Sequence, residues 1–108
     1  MRFVLILTES LKSARTEVCL KYAFSARMGG HQVAVYLIGD GVFCAIGKHP
    51  SSKLSGLLPN GGEIYARKED LEARGLFSQV LAGVEIPSDF YDKLIEDVME
   101  MADRVMSF

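Results

Sequence analysis

Two unbroken apolar stretches, Phe3-Val4-Leu5-Ile6-Leu7 and Val33-Ala34-Val35-Tyr36-Leu37-Ile38, constrain this chain more than any other feature. Alternation of apolar and polar residues marks a strand with one wet face; continuous apolarity marks a strand covered on both faces, as in a parallel sheet. Between the two runs the period lengthens. Leu11, Ala14, Val18, Tyr22 and Ala26 recur every three or four residues, which predicts a helix from Leu11 to Met28 with that stripe inward. Ser10 or Ser13 is placed to cap its start, and Gly29-Gly30 to end it. A strand, a helix of about four turns and a second strand, joined by short turns, form a right-handed βαβ unit.

The remainder continues the alternation. Gly39-Asp40-Gly41 closes the second strand, and Val42 to Ile46 predicts one or two helical turns. His49-Pro50-Ser51-Ser52 reads as a loop, Lys53 to Leu58 as weak helix and Pro59-Asn60-Gly61-Gly62 as a turn. Glu63 to Ala66 predicts a third strand, and Lys68 to Arg74 a charged helix stopped by Gly75. Ser88 is placed to cap a last helix with a Phe90, Leu94, Val98, Met101 stripe, and Arg104 to Phe108 reads as a final strand. The expected fold class is α/β, with a mainly parallel sheet of four to five strands and helices on both faces.

A chain of 108 residues is expected to form a single domain over 1–108. Its net charge of −2 argues against a nucleic-acid partner, which requires a basic surface. No apolar run approaches the roughly 20 residues of a membrane span, and the run at Phe3–Leu7 is too short for a secretory signal. Two cysteines, Cys19 and Cys44, fit reduced thiols in a cytoplasm better than a disulfide scaffold.

In parallel α/β sheets, ligands bind beyond the carboxyl ends of the strands. That edge holds Thr8 to Ser13, Gly39 to Cys44, and Ala66 to Lys68. Ser10, Ser13 and Arg15 stand where a helix start could hold an anion, although the glycines and Gly-Lys-Ser/Thr of a P-loop are absent. Asp40 is placed as a cap and Gly41 for close backbone approach; Gly39-Asp40-Gly41-Val42-Phe43-Cys44 departs from a dinucleotide fingerprint at its last position. Arg67 directly follows the third strand and could face a pocket. Cys44, one turn into a short helix, is the candidate reactive thiol, because peptide N–H groups favour thiolate; a packed apolar role is the alternative. Cys19 reads as structural. His31 and His49 lack ligands at metal spacing, so no metal is expected. Leu20 and Phe24 fall off the main stripe and call for cover, from another segment of the chain or from a second subunit.

Taken in order, several segments resemble the DsrE/DsrF-like family of small sulfur-relay proteins. They are the opening strand, the helix ending in Gly29-Gly30-His31, Leu37-Ile38-Gly39-Asp40-Gly41-Val42, Glu72-Ala73-Arg74-Gly75-Leu76, Gly83-Val84, and Ala102 to Phe108. The resemblance implies a flavodoxin-like three-layer sandwich and assembly into homo-oligomers (dimers, trimers or hexamers) or complexes with cysteine-bearing relatives. It also implies cytoplasmic persulfide transfer in some members. Their carrier cysteine ends the third strand, about eight residues before the Arg-Gly pair; here that region is Tyr65-Ala66-Arg67. The expectation is therefore a sulfur-relay subunit or binding protein without cofactor, rather than an independent enzyme. The alternatives are a small-anion or nucleotide-binding module, or a persulfide carrier using Cys44.

Overall fold

The structure, a computed structural model, describes residues 1–10, 12–46 and 56–108. The loop expected at 49–52 and the first half of the weak helix expected at 53–58 lie outside the described residues. Strand β1 spans Arg2–Leu7, helix α1 Ala14–Met28, β2 Gln32–Leu37, β3 Glu63–Ala66, helix α2 Lys68–Ala73, helix α3 Phe90–Glu96 and β4 Arg104–Ser107. A 3-10 segment, Gly39–Ala45, follows β2, and a π-helical turn, Asp97–Met101, prolongs α3.

The four strands form one sheet in the order β3-β2-β1-β4, and every pairing is parallel. This is the flavodoxin-like sandwich, with β1 and β2 at its centre. Their continuous apolar sequence follows from that position, since both faces are covered. Phe3, Leu5, Leu7, Val33, Val35 and Leu37 join Ile64 and Ala66 in the core beneath α1. Val4, Ala34, Tyr36 and Tyr65 join Phe90 and Leu94 beneath α3.

Two glycines do specific work. Gly30, at φ +86°, reverses the chain after α1, a backbone state that side chains with a Cβ disfavour. Gly41 lies against the end of β1, where an added Cβ would stand 2.1 Å from the Leu7 carbonyl oxygen. The close approach expected of Gly41 is present.

Helix α1 is rotated from the expected stripe. Its buried residues are Thr16, Cys19, Leu20, Ala23 and Ala26, while Val18 and Tyr22 are exposed. Apolar residues occur on both sides of this helix, so periodicity alone could not choose between them. The choice is set by Thr16, whose hydroxyl donates to the carbonyls of Ser10 (2.6 Å) and Glu9 (3.3 Å). Leu20 is buried, and half-buried Phe24 packs on the same core. Gly56 seats against the Phe24 ring, at 2.8 Å from an added Cβ. Leu20 is thus covered by its own chain and Phe24 in part, beside an open apolar hollow lined by Leu20, Lys21, Phe24 and Ser25.

Candidate functional site

At the carboxyl ends of β2 and β3 the chain builds a network of alternating charges. The Arg67 N–H donates to the Leu37 carbonyl, fixing the turn out of β3. Asp70, one turn into α2, accepts from the Gly39 N–H at 2.9 Å and lies 3.4 Å from Arg67 Nη1 and 3.6 Å from Arg74 Nη1. Arg74 Nε and Nη2 both donate to Asp40 Oδ1, at 3.1 and 2.9 Å. The guanidinium of Arg67 also lies over the Tyr91 ring, 4.9 Å from its centroid, and 3.6 Å from Glu69. A cleft of about 180 Å³ opens here, lined by Arg67, Glu69, Ser88, Asp89, Phe90, Tyr91 and Asp92. Three carboxylates against one arginine, itself paired, make this a poor seat for a free anion.

The expected cluster therefore forms in part. Asp40, Gly41 and Arg67 sit at one edge, yet Asp40 pairs with Arg74 rather than capping the 3-10 segment, which has no side-chain cap. Ser13 caps α1 by accepting from the Arg15 N–H at 3.2 Å. Ser10 takes part through its carbonyl, which accepts from Ser13 N–H and from Thr16. Among the described residues no hydrogen bond or ion pair joins Ser10, Ser13 or the Arg15 side chain to Asp40, Gly41 or Arg67. Nor does Ser88 cap the last helix: Asp89 precedes it, without a side-chain hydrogen bond.

Both thiols lie in the core beneath α1, Cys19 at 0% and Cys44 at 1% exposure. Burial pushes each up to about 12. For Cys44 this reverses the lowering expected of a helix start. Desolvation of the thiolate outweighs a few peptide dipoles when no water or cation reaches the sulfur.

A second polar cluster, at the opposite end of the strands under α3, was not anticipated. Arg2 Nε and Nη2 donate to the two carboxylate oxygens of Asp97 at 2.8 and 2.7 Å, and Nη1 donates to Glu63 at 2.5 Å. Tyr36 hydroxyl donates to Asp97 at 2.6 Å, and Tyr65 hydroxyl to Glu63 at 2.6 Å. The two rings stack, with centroids 4.7 Å apart, and Lys93 Nζ lies over Tyr65. These groups line a cleft of about 280 Å³ that includes Glu96 and Met101. Hydrogen bonding to Asp97 holds the Arg2 guanidinium protonated. Burial works to raise the carboxyls of Asp97 and Glu63, but the bonds from Arg2 and the tyrosines outweigh it and hold both below the usual carboxylate range. Asp97 lies on the buried line of α3, seven residues after Phe90 and three after Leu94. A carboxylate in that line was the signal for a buried cation.

The four-stranded parallel sheet with helices on both faces places the chain in the flavodoxin-like α/β class. Residues 10–103 match the DsrH-like protein family, and the chain belongs to that family, whose general association is with sulfur relay. The match is to this relative of the DsrE/DsrF group rather than to the DsrE family itself. No curated protein sequence matches the chain.

Solved structures share the fold. The ychN protein of E. coli aligns at TM-score 0.83 and 21% identity over 100% of both chains. A protein of unknown function from Methanobacterium thermoautotrophicum aligns at 0.82 and 18%, over 97% of each. A conserved protein of unknown function from Bacteroides thetaiotaomicron aligns at 0.74 and 15%, over 99% of this chain and 94% of that one.

Proposed function

We propose that this chain is a subunit or binding protein of a sulfur relay that does not itself carry sulfur, and that it works beside cysteine-bearing relatives of the DsrE type. The observation that carries this reading is the placement of sulfur. Both thiols are sealed in the core, and the end of β3, where the resembling carriers hold a cysteine, is Ala66 followed by an arginine engaged with Glu69, Asp70 and Tyr91. A carrier thiol must meet its donor and acceptor as thiolate, and neither condition is met here.

The test is intact-mass spectrometry of the folded protein after incubation with a persulfide donor. The expected result is no stoichiometric gain of sulfur by the native chain, with gain on both cysteines once it is unfolded in urea. Rapid addition of one sulfur atom to the folded protein, lost in Cys44→Ser, would make it a carrier. Co-expression with a cysteine-bearing relative should yield a complex in which that relative alone is loaded.

A further inference from the structure

We propose that the cleft under α3, between Lys93, Glu96 and the stacked Tyr36–Tyr65 pair, binds a free amino acid zwitterion with an apolar side chain. The cleft holds about 280 Å³. Ligand pockets run from roughly 300 to 1,000 Å³, so its size suits an amino acid rather than a dinucleotide. Most polar groups here are spent on one another. Arg2 gives its guanidinium to Asp97 and Glu63, and the two tyrosine hydroxyls donate to the same carboxylates. Two charges are left over, on Lys93 and Glu96.

These two residues stand three apart on α3, and both line the cleft. Opposite charges at that spacing are neighbours on a helix and ordinarily pair. Here they do not: among the described residues neither has an ion-pair partner. Lys93 is instead drawn over the Tyr65 ring, 4.9 Å from its centroid. A cation and a carboxylate are thus held apart on one wall. An amino acid carries the complementary pair on a single carbon, a carboxylate for Lys93 and an ammonium for Glu96. Asp97 and Glu63 together outweigh the charge of Arg2, which favours the ammonium further. Met101, 60% exposed, supplies a thioether for the ligand's side chain, and aromatic rings suit such a sulfur. The tyrosine floor is buried and stacked, so little ordering is left to binding. The cleft is separate from both thiols and from Arg67, so its failure would leave the sulfur-relay reading standing.

Amide chemical shifts of isotope-labelled protein, titrated with L-phenylalanine up to millimolar concentration, test the proposal. Saturable shifts are expected at Tyr65, Lys93, Glu96 and Met101. Phenethylamine lacks the carboxylate and hydrocinnamate lacks the ammonium, so each should bind about tenfold more weakly, or worse. Lys93→Gln and Glu96→Gln should each cost the amino acid a similar factor, while Glu72→Gln on α2 leaves its affinity unchanged. Glu96 is exposed, so its variant carries the test even if Lys93→Gln fails to fold. Absence of saturable shifts, or shifts confined to another surface, would sink the proposal. So would either one-charge analogue matching L-phenylalanine, or a folded Glu96→Gln that keeps the wild-type affinity.

Discussion

Arg2 and Asp97 meet across a separation of 95 residues, guanidinium against carboxylate through two bonds of 2.8 and 2.7 Å. Their side chains are 13% and 5% exposed. The first residue of β1 is thereby fixed to the π turn after α3, and Tyr36 and Glu63 bring β2 and β3 to the same point.

Removing the Asp97 charge should therefore be costly. Asp97→Asn leaves the buried guanidinium short of its main partner, with an expected loss of about 3 kcal/mol in urea unfolding. The exposed Lys68–Glu72 pair serves as the control. Glu72→Gln should change stability by no more than about 0.5 kcal/mol. An Asp97→Asn protein within about 1 kcal/mol of wild type would show that the pair contributes little.

The pH dependence has two limbs. The carboxyls of Asp97 and Glu63 are lowered by folding, so their stabilisation is fully present above the ordinary carboxylate range near pH 4. It is lost as pH falls through their folded values. Burial, with Asp97 as hydrogen-bond partner, raises the Tyr36 phenol, and burial raises both thiols to about 12. Their stabilisation is full below the ordinary values and fades as pH rises beyond about 8.5 for thiols and about 10 for phenols. Urea midpoints measured from pH 3 to pH 11 should show a plateau falling at both ends. A midpoint that rises above pH 9 contradicts the alkaline limb.

Gly41→Ala should be among the most damaging single-methyl changes in the chain. Its Cβ would stand 2.1 Å from the Leu7 carbonyl oxygen, and backbone cannot yield as a flexible side chain does. We expect a loss of about 2–4 kcal/mol, or no soluble protein. Gly29→Ala, whose nearest contacts begin at 3.4 Å, should be close to neutral. Thermal unfolding of the two variants makes the comparison; equal midpoints would refute it.

Alkylation of the native protein should be slow and should reach Cys19 and Cys44 together. Both sulfurs are enclosed in one core, so reagent enters through the same opening. This replaces the earlier modification of Cys44 expected from its place near a helix start. Iodoacetamide labelling with peptide mapping decides the matter: fast, selective labelling of Cys44 would show that the 3-10 segment opens independently.

Much of the fold was legible because strand burial writes itself into sequence. Phe3–Leu7 and Val33–Ile38 had to be covered on both sides, and Gly41 fell where β1 and the turn after β2 touch. The facing of α1 was not legible, because Val18, Tyr22 and Met28 are apolar residues left in water and Thr16 is a polar residue made welcome by two carbonyls. Arg2 was passed over as the start of an apolar run. Its partner Asp97 was hidden in a helix whose nearby Val98 offered an equally good apolar line. Topology placed Asp40, Gly41 and Arg67 at one strand-end edge, yet Arg74, which decides what Asp40 does, lies 34 residues from it in sequence. Pairings of that kind depend on the fold that brings them together.

The position of β4 bears on how the protein is made. β1 is synthesised about 100 residues before β4, yet one of its two neighbours is Arg104–Ser107, so its outer flank stays open until that segment has been translated. Closing contacts so distant in sequence is slow, and an uncovered apolar strand pairs readily with other chains. A transcript cut short just before Arg104 would thus yield an otherwise well-formed sheet whose most apolar strand has become its edge. Such a product is expected to be cleared or to aggregate rather than persist as a weakened monomer.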